Sequence, residues 1–97
     1  MFLDKYVNDT YYNLILDNYD EVYLATLDEN NFRKVYYLFN KINCYFINDI
    51  ILNYLEIFEM NIKDVIKGLQ KLKDKLGDNY IKEIGKNMTY LSEIIDG

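Results

Sequence analysis

FINDIILNYLEIF, residues 46–58, carries nine apolar side chains in thirteen positions: Phe46, Ile47, Ile50, Ile51, Leu52, Tyr54, Leu55, Ile57 and Phe58. On a single helix turning about 100° per residue they cover well over half the circumference, too wide for one buried face. The stretch is therefore expected either to form the centre of the fold or to give a homodimer by packing 46–58 against a second copy.

Downstream the punctuation is clear. Asn61 is placed to cap a helix, Asp64 suits its positive N-terminal end, and Gly77 can take the left-handed conformation that ends it. The inner face of this helix is Ile62, Val65, Ile66, Leu69, Leu72 and Leu76. Asp78 is expected to cap a last helix with Tyr80, Ile81, Ile84, Met88, Leu91 and Ile95 inward. Gly68 and Gly85 each cost a helix about 1 kcal/mol relative to alanine, so they are expected to mark close helix contacts.

Upstream, residues 2–16 place Leu3, Tyr6, Val7, Thr10, Tyr11 and Leu14 on one face of a single predicted helix, with Ile15 a further inward candidate and Tyr12 outward. A break follows at 18–20, where Asp20 can cap a short helix, although residues 21–27 alternate well enough for a strand. Asp28 or Asn30 can cap the next helix, with Phe32, Val35, Tyr36, Phe39 and Ile42 as its inner stripe and a turn over 41–45. There is no proline, no linker composition and no repeat, so residues 1–97 read as one helical domain. The expected fold is all-α, a compact bundle of five or six short amphipathic helices, with a short strand at 21–27 as the alternative.

The 97 residues contain no histidine, which removes the commonest general base, the usual metal ligand and the Ser/His and Cys/His nucleophile pairs. The single cysteine, Cys44, has no disulfide partner and is expected to be structural. Glu56 and Glu59 lack the histidine of a Glu-x-x-His metal site, no calcium-loop spacing is present, and the four glycines are isolated rather than gathered into a phosphate loop. A non-enzymatic protein without cofactor or metal is expected. The N-terminus lacks signal-peptide character and no apolar run approaches the ~20 residues of a membrane span, so a cytoplasmic setting is expected.

Charge is unevenly placed along the chain. Eleven basic and sixteen acidic residues give −5 overall, but residues 1–31 hold one lysine against seven carboxylates, a net −6. This acidic third also carries tyrosines, and tyrosine offers large contact area at low entropic cost. Tyr12, Asp17, Tyr19, Asp20, Glu21, Tyr23, Asp28 and Glu29 are accordingly expected to form a surface for a larger protein with a basic face. If that face normally holds nucleic acid, the chain would inhibit it by mimicking phosphate charge. In size, charge and composition the chain resembles the small acidic inhibitors of phages and other mobile elements, anti-CRISPR proteins among them.

Two basic faces support other readings. Arg33, Lys34, Tyr37 and Lys41 group on the outward side of the third helix, and Lys63, Lys67, Lys71 and Lys75 recur every four residues opposite the Leu69/Leu72 stripe. Either would suit a dimeric nucleic-acid-binding regulator. A homo-oligomeric assembly subunit built through residues 46–58 is the remaining reading. Against every aromatic pattern stands composition: Asn, Ile, Tyr and Lys make up 45 of the 97 residues, all written by AT-rich codons.

Overall fold

A computed structural model describes residues 1–97 as seven α-helices: α1 (Asp9–Asn18), α2 (Glu21–Ala25), α3 (Glu29–Lys41), α4 (Ile47–Asn53), α5 (Ile62–Leu76), α6 (Tyr80–Lys86) and α7 (Ser92–Asp96). Three 3₁₀ segments, Phe2–Lys5, Leu55–Glu59 and Met88–Leu91, complete the order, and there is no strand. The all-α class is as expected, and within 21–27 residues 21–25 are helical, with no strand.

The decisive stretch is two elements rather than one helix. α4 stops at Asn53, Tyr54 leaves helical geometry (φ −136°, ψ 44°), and the 3₁₀ segment Leu55–Glu59 begins a separate turn. This break removes the excess width, because each half needs only its own buried side: Ile47, Ile50 and Ile51 from α4, then Leu55, Ile57 and Phe58. α4 packs on α1, while Leu55–Glu59 packs on α3 and α7. The stretch therefore lies at the centre of the fold, with Leu52 and Tyr54 half-buried.

Aromatic rings fasten this centre. Phe58 stacks on Phe32 with centroids 4.7 Å apart and tilts against Phe39 at 5.8 Å. Phe2 and Tyr6 from the N-terminal turn reach Phe32 at 5.4 and 4.9 Å. Asn31 of α3 donates to the carbonyls of Phe58 and Met60 at 2.8 and 2.9 Å. Those carbonyls lie where the chain leaves the 3₁₀ segment in extended geometry at Met60, and the Asn31 side chain supplies donors to them.

The single helix expected over 2–16 is also divided. Asn8 accepts from the Tyr11 N–H at 2.9 Å and starts α1 afresh, which shifts the phase of the pattern. Ile15 becomes the buried residue of α1, Leu14 turns out to 42% exposure, and Tyr12 is half-buried rather than outward. Downstream, Asp20, Asp28 and Asn61 cap α2, α3 and α5 at 2.8, 2.9 and 2.9 Å, as their spacing predicts. Gly77 ends α5 with φ 86°. Asp78 makes no cap, and the last predicted helix breaks at Asn87 into α6, a 3₁₀ turn and α7.

α7 lies along α5, and Gly68 is the point of closest approach. A Cβ at Gly68 would sit 3.0 Å from Ile94 side-chain carbons and 3.2 Å from its Cα. A Cβ at Gly85 would meet Tyr45 and Phe46. Ile66, expected inward on α5, is 50% exposed at the rim of a shallow groove with Leu38, Ile42 and Tyr80. The interior is one cluster of 21 buried residues, none polar or charged. The radius of gyration, 13.1 Å, matches the ~13 Å of a packed domain of about 100 residues.

Candidate functional site

Most acidic residues of the N-terminal third lie at the ends of α1, α2 and α3. Asp17 lies in the last turn of α1, Asp20 caps and Glu21 opens α2, and Asp28 caps and Glu29 opens α3. Asp17 and Glu21 are exposed, whereas Asp20 and Asp28 each spend a carboxylate oxygen capping a helix. The only lysine of this third, Lys5, reaches Glu29 at 3.3 Å. The other ion pairs lie in the C-terminal part, Lys75–Glu93 at 3.1 Å and Lys86–Glu83 at 3.8 Å. Asp17, Asp20, Glu21 and Asp28 thus have no cation within salt-bridge distance.

The tyrosines have a role within the chain. The Tyr11 hydroxyl donates to Asp49 Oδ1 of α4 at 2.7 Å, and the Tyr23 hydroxyl donates to Glu59 Oε2. Tyr19 stacks on Tyr23 with centroids 5.8 Å apart. These contacts tie α1 and α2 to the central stretch and hold the phenols protonated. The hydrogen bond to Asp49 raises the Tyr11 pKa above its ordinary value, with burial adding to it. Burial raises Tyr19, with the nearby Glu56 charge adding and the Leu55 backbone opposing. Burial, then the Glu59 hydrogen bond and charge, raises Tyr23 further. The expected tyrosine surface is therefore reduced, since Tyr19 and Tyr23 are half-buried.

The same contacts bring Glu56 and Glu59 beside Tyr19 and Tyr23, extending the acidic face beyond residues 9–29. Neither was expected there from sequence. The only signal was the exposed phase of two carboxylates beside a broad apolar run, and the break at Tyr54 changes that phase.

Tyr12 and Leu16, one turn apart on α1, face Glu21 and Ala25, one turn apart on α2. With Met1 they line an open groove of about 280 Å³, in which Glu21 is the one acidic residue. Val22 beside it is 74% exposed.

The basic faces fare differently from one another. Arg33, Lys34, Tyr37 and Lys41 are all exposed on α3, with Tyr37 at 61% and Arg33 Nη2 held by Asn30 Oδ1 at 2.7 Å. The lysine row of α5 is split. Lys63 and Lys67 are exposed without an ion pair, whereas Lys71 bonds the Gly97 carbonyl at 3.3 Å and Lys75 pairs with Glu93 while lying 5.4 Å over the Tyr90 ring. Its second half holds α7 against α5.

Cys44 is buried, and desolvation pushes its thiol up to about 11, far from a reactive thiolate. No three Cys, Asp or Glu side chains gather closely enough to hold a metal ion. No helix is long and apolar enough to cross a membrane. In comparison with known proteins, the chain matches no family model, no curated protein and no solved structure.

Proposed function

We propose that this chain is a non-enzymatic interaction protein that docks its acidic face on a basic surface of a larger protein. Where that surface handles nucleic acid, the bound chain is an inhibitor whose carboxylates occupy phosphate positions, after the manner of the anti-CRISPR-like acidic inhibitors it resembles in size and charge. One observation supports the reading: Asp17, Asp20, Glu21 and Asp28, in the last turn of α1 and at the starts of α2 and α3, have no cation of the chain within salt-bridge distance. Charge left uncompensated within one chain steers it toward an opposite charge on another.

The test is affinity capture from the source cells with the chain as bait, followed by binding measurements on the captured partner. Asp20 caps α2, so the informative variant is Asp17→Lys, Asp20→Asn and Glu21→Lys, which reverses charge while keeping a capping side chain. Affinity is expected to fall by more than about tenfold, equivalent to 1.4 kcal/mol, and to weaken with salt. Unchanged affinity would remove electrostatic docking through this face.

The exposed Arg33, Lys34, Tyr37 and Lys41 group, free of any carboxylate pair, favours a second reading as a nucleic-acid contact. A gel shift that weakens steeply between low and moderate salt, and that Tyr37→Ala diminishes, would support it. No shift at low salt would exclude it.

A further inference from the structure

The groove between α1 and α2 combines an apolar floor with unpaired acid. Tyr12, Leu16, Ala25 and Met1 supply the floor, and Glu21 is itself part of the lining. Asp17 follows Leu16 directly and Asp20 precedes Glu21, and none of the three carboxylates has a cation within salt-bridge distance. Single exposed apolar residues are ordinary on a protein surface. A mainly apolar recess lined by Glu21, with Asp17 and Asp20 adjacent in the chain and the Met1 ammonium as the one cation of its lining residues, sets requirements on what can fill it.

We infer that this groove seats an apolar side chain of a cationic segment of the partner, with Lys or Arg on either side of that anchor meeting Glu21 and Asp17. The inference rests on the docking reading above and specifies its contact. A neutral apolar ligand would desolvate Glu21 without pairing it, which is costly, and an anionic ligand would be repelled. A purely cationic strand would leave the apolar floor wet. Only a segment carrying both an apolar anchor and flanking positive charge meets both requirements, and an amphipathic helix with basic residues one turn from its anchor has that pattern. The volume, about 280 Å³, falls just below the ~300–1,000 Å³ of small-molecule sites but holds a large apolar side chain. A central anchor with charges at its rim is the usual anatomy of a binding hot spot.

Two synthetic peptides of equal lysine and arginine content, one with leucine at the centre and one with alanine, test the inference by titration into the isotope-labelled full chain. The leucine peptide is expected to bind at least about tenfold tighter and to shift the amide resonances of Tyr12, Leu16 and Ala25. Ala25→Phe, at an exposed position, should fill the groove and abolish the preference while circular dichroism remains helical. Equal affinities for the two peptides, both lost on Asp17→Lys with Glu21→Lys, would overturn the groove as an anchor site while leaving electrostatic docking intact. Equal affinities indifferent to those reversals would overturn both. Absence of binding by either peptide at millimolar concentration would overturn the assigned occupant.

Discussion

Residues 46–59 and residues 9–25 are each a pair of short helical elements separated by a break, yet different forces hold them. The first buries Phe46, Ile47, Ile50, Ile51, Leu55, Ile57 and Phe58; the second buries only Ile15 and Leu24. What the second lacks in apolar burial it supplies with the caps Asn8 and Asp20 and with phenol–carboxylate bonds from Tyr11 and Tyr23. The central pair is thereby specified by packing, and the N-terminal pair is free to keep its charges outside. Mutations should consequently act on folding in the first region and mainly on binding in the second.

The largest effect expected is at Phe58. Truncation to alanine removes the ring stacked on Phe32 and leaves a cavity in a fully buried site, which costs about 3–5 kcal/mol. Against a typical stability of about 5–15 kcal/mol this is a large fraction, so thermal denaturation followed by circular dichroism should show a lowered or vanished transition. A drop below about 1 kcal/mol would break the claim that packing at the centre dominates.

High pH should act on the N-terminal pair, with buried Cys44 and half-buried Tyr80, both also raised, contributing elsewhere. Tyr11, Tyr19 and Tyr23 have folded-state pKa values above the ordinary 10.0. The folded chain therefore keeps protons that the unfolded chain loses, so the stabilisation is complete below about pH 10 and declines as pH rises toward the folded values. Tyrosinate absorbance should titrate late in the folded protein, and Tyr23→Phe should reduce the base sensitivity of unfolding. Base sensitivity unaltered by both Tyr11→Phe and Tyr23→Phe would show that these bonds do not hold α1 and α2.

Asn31→Ala comes next, expected to cost about 1–3 kcal/mol in chemical denaturation because the Phe58 and Met60 carbonyls lose their donor. Asp20→Ala is smaller, about 1 kcal/mol for a lost cap, and Asp20→Asn should be close to neutral. A neutral Asp20→Ala would mean that α2 contributes little to folding.

The elements easiest to read from sequence were those with a capping side chain at the start of an amphipathic run and a glycine at its end, as at Asn61 and Gly77. The three unexpected breaks, at Asn8, Tyr54 and Asn87, carry no proline or glycine. Asn8 and Asn87 both accept from backbone N–H groups just downstream, yet twelve asparagines in the chain dilute any one of them as a signal. At Tyr54 the apolar run is continuous through the break, so periodicity pooled two buried sides into one broad face. The acidic pole was legible because charge counts do not depend on phase. The tyrosine contacts to Asp49 and Glu59 were not, because they join residues 38 and 36 positions apart.

The smallest effect on folding, and the sharpest separation of the two regions, is expected from Asp17 and Glu21. Asp17 lies in the last turn of α1, where the helix dipole disfavours an acid, and no basic residue occupies that turn. Asp17→Lys should therefore stabilise the free chain by a few tenths of a kcal/mol. Glu21 opens α2 at its positive end, so Glu21→Lys should cost a similar amount, and the double variant should unfold within about 0.5 kcal/mol of the parent. Its affinity for the partner should nevertheless fall. An acid at Asp17 is a local cost to the isolated helix that a partner cation would offset, so a more stable but weaker-binding Asp17→Lys would assign that charge to recognition. A variant that loses stability and affinity together would assign it to the fold.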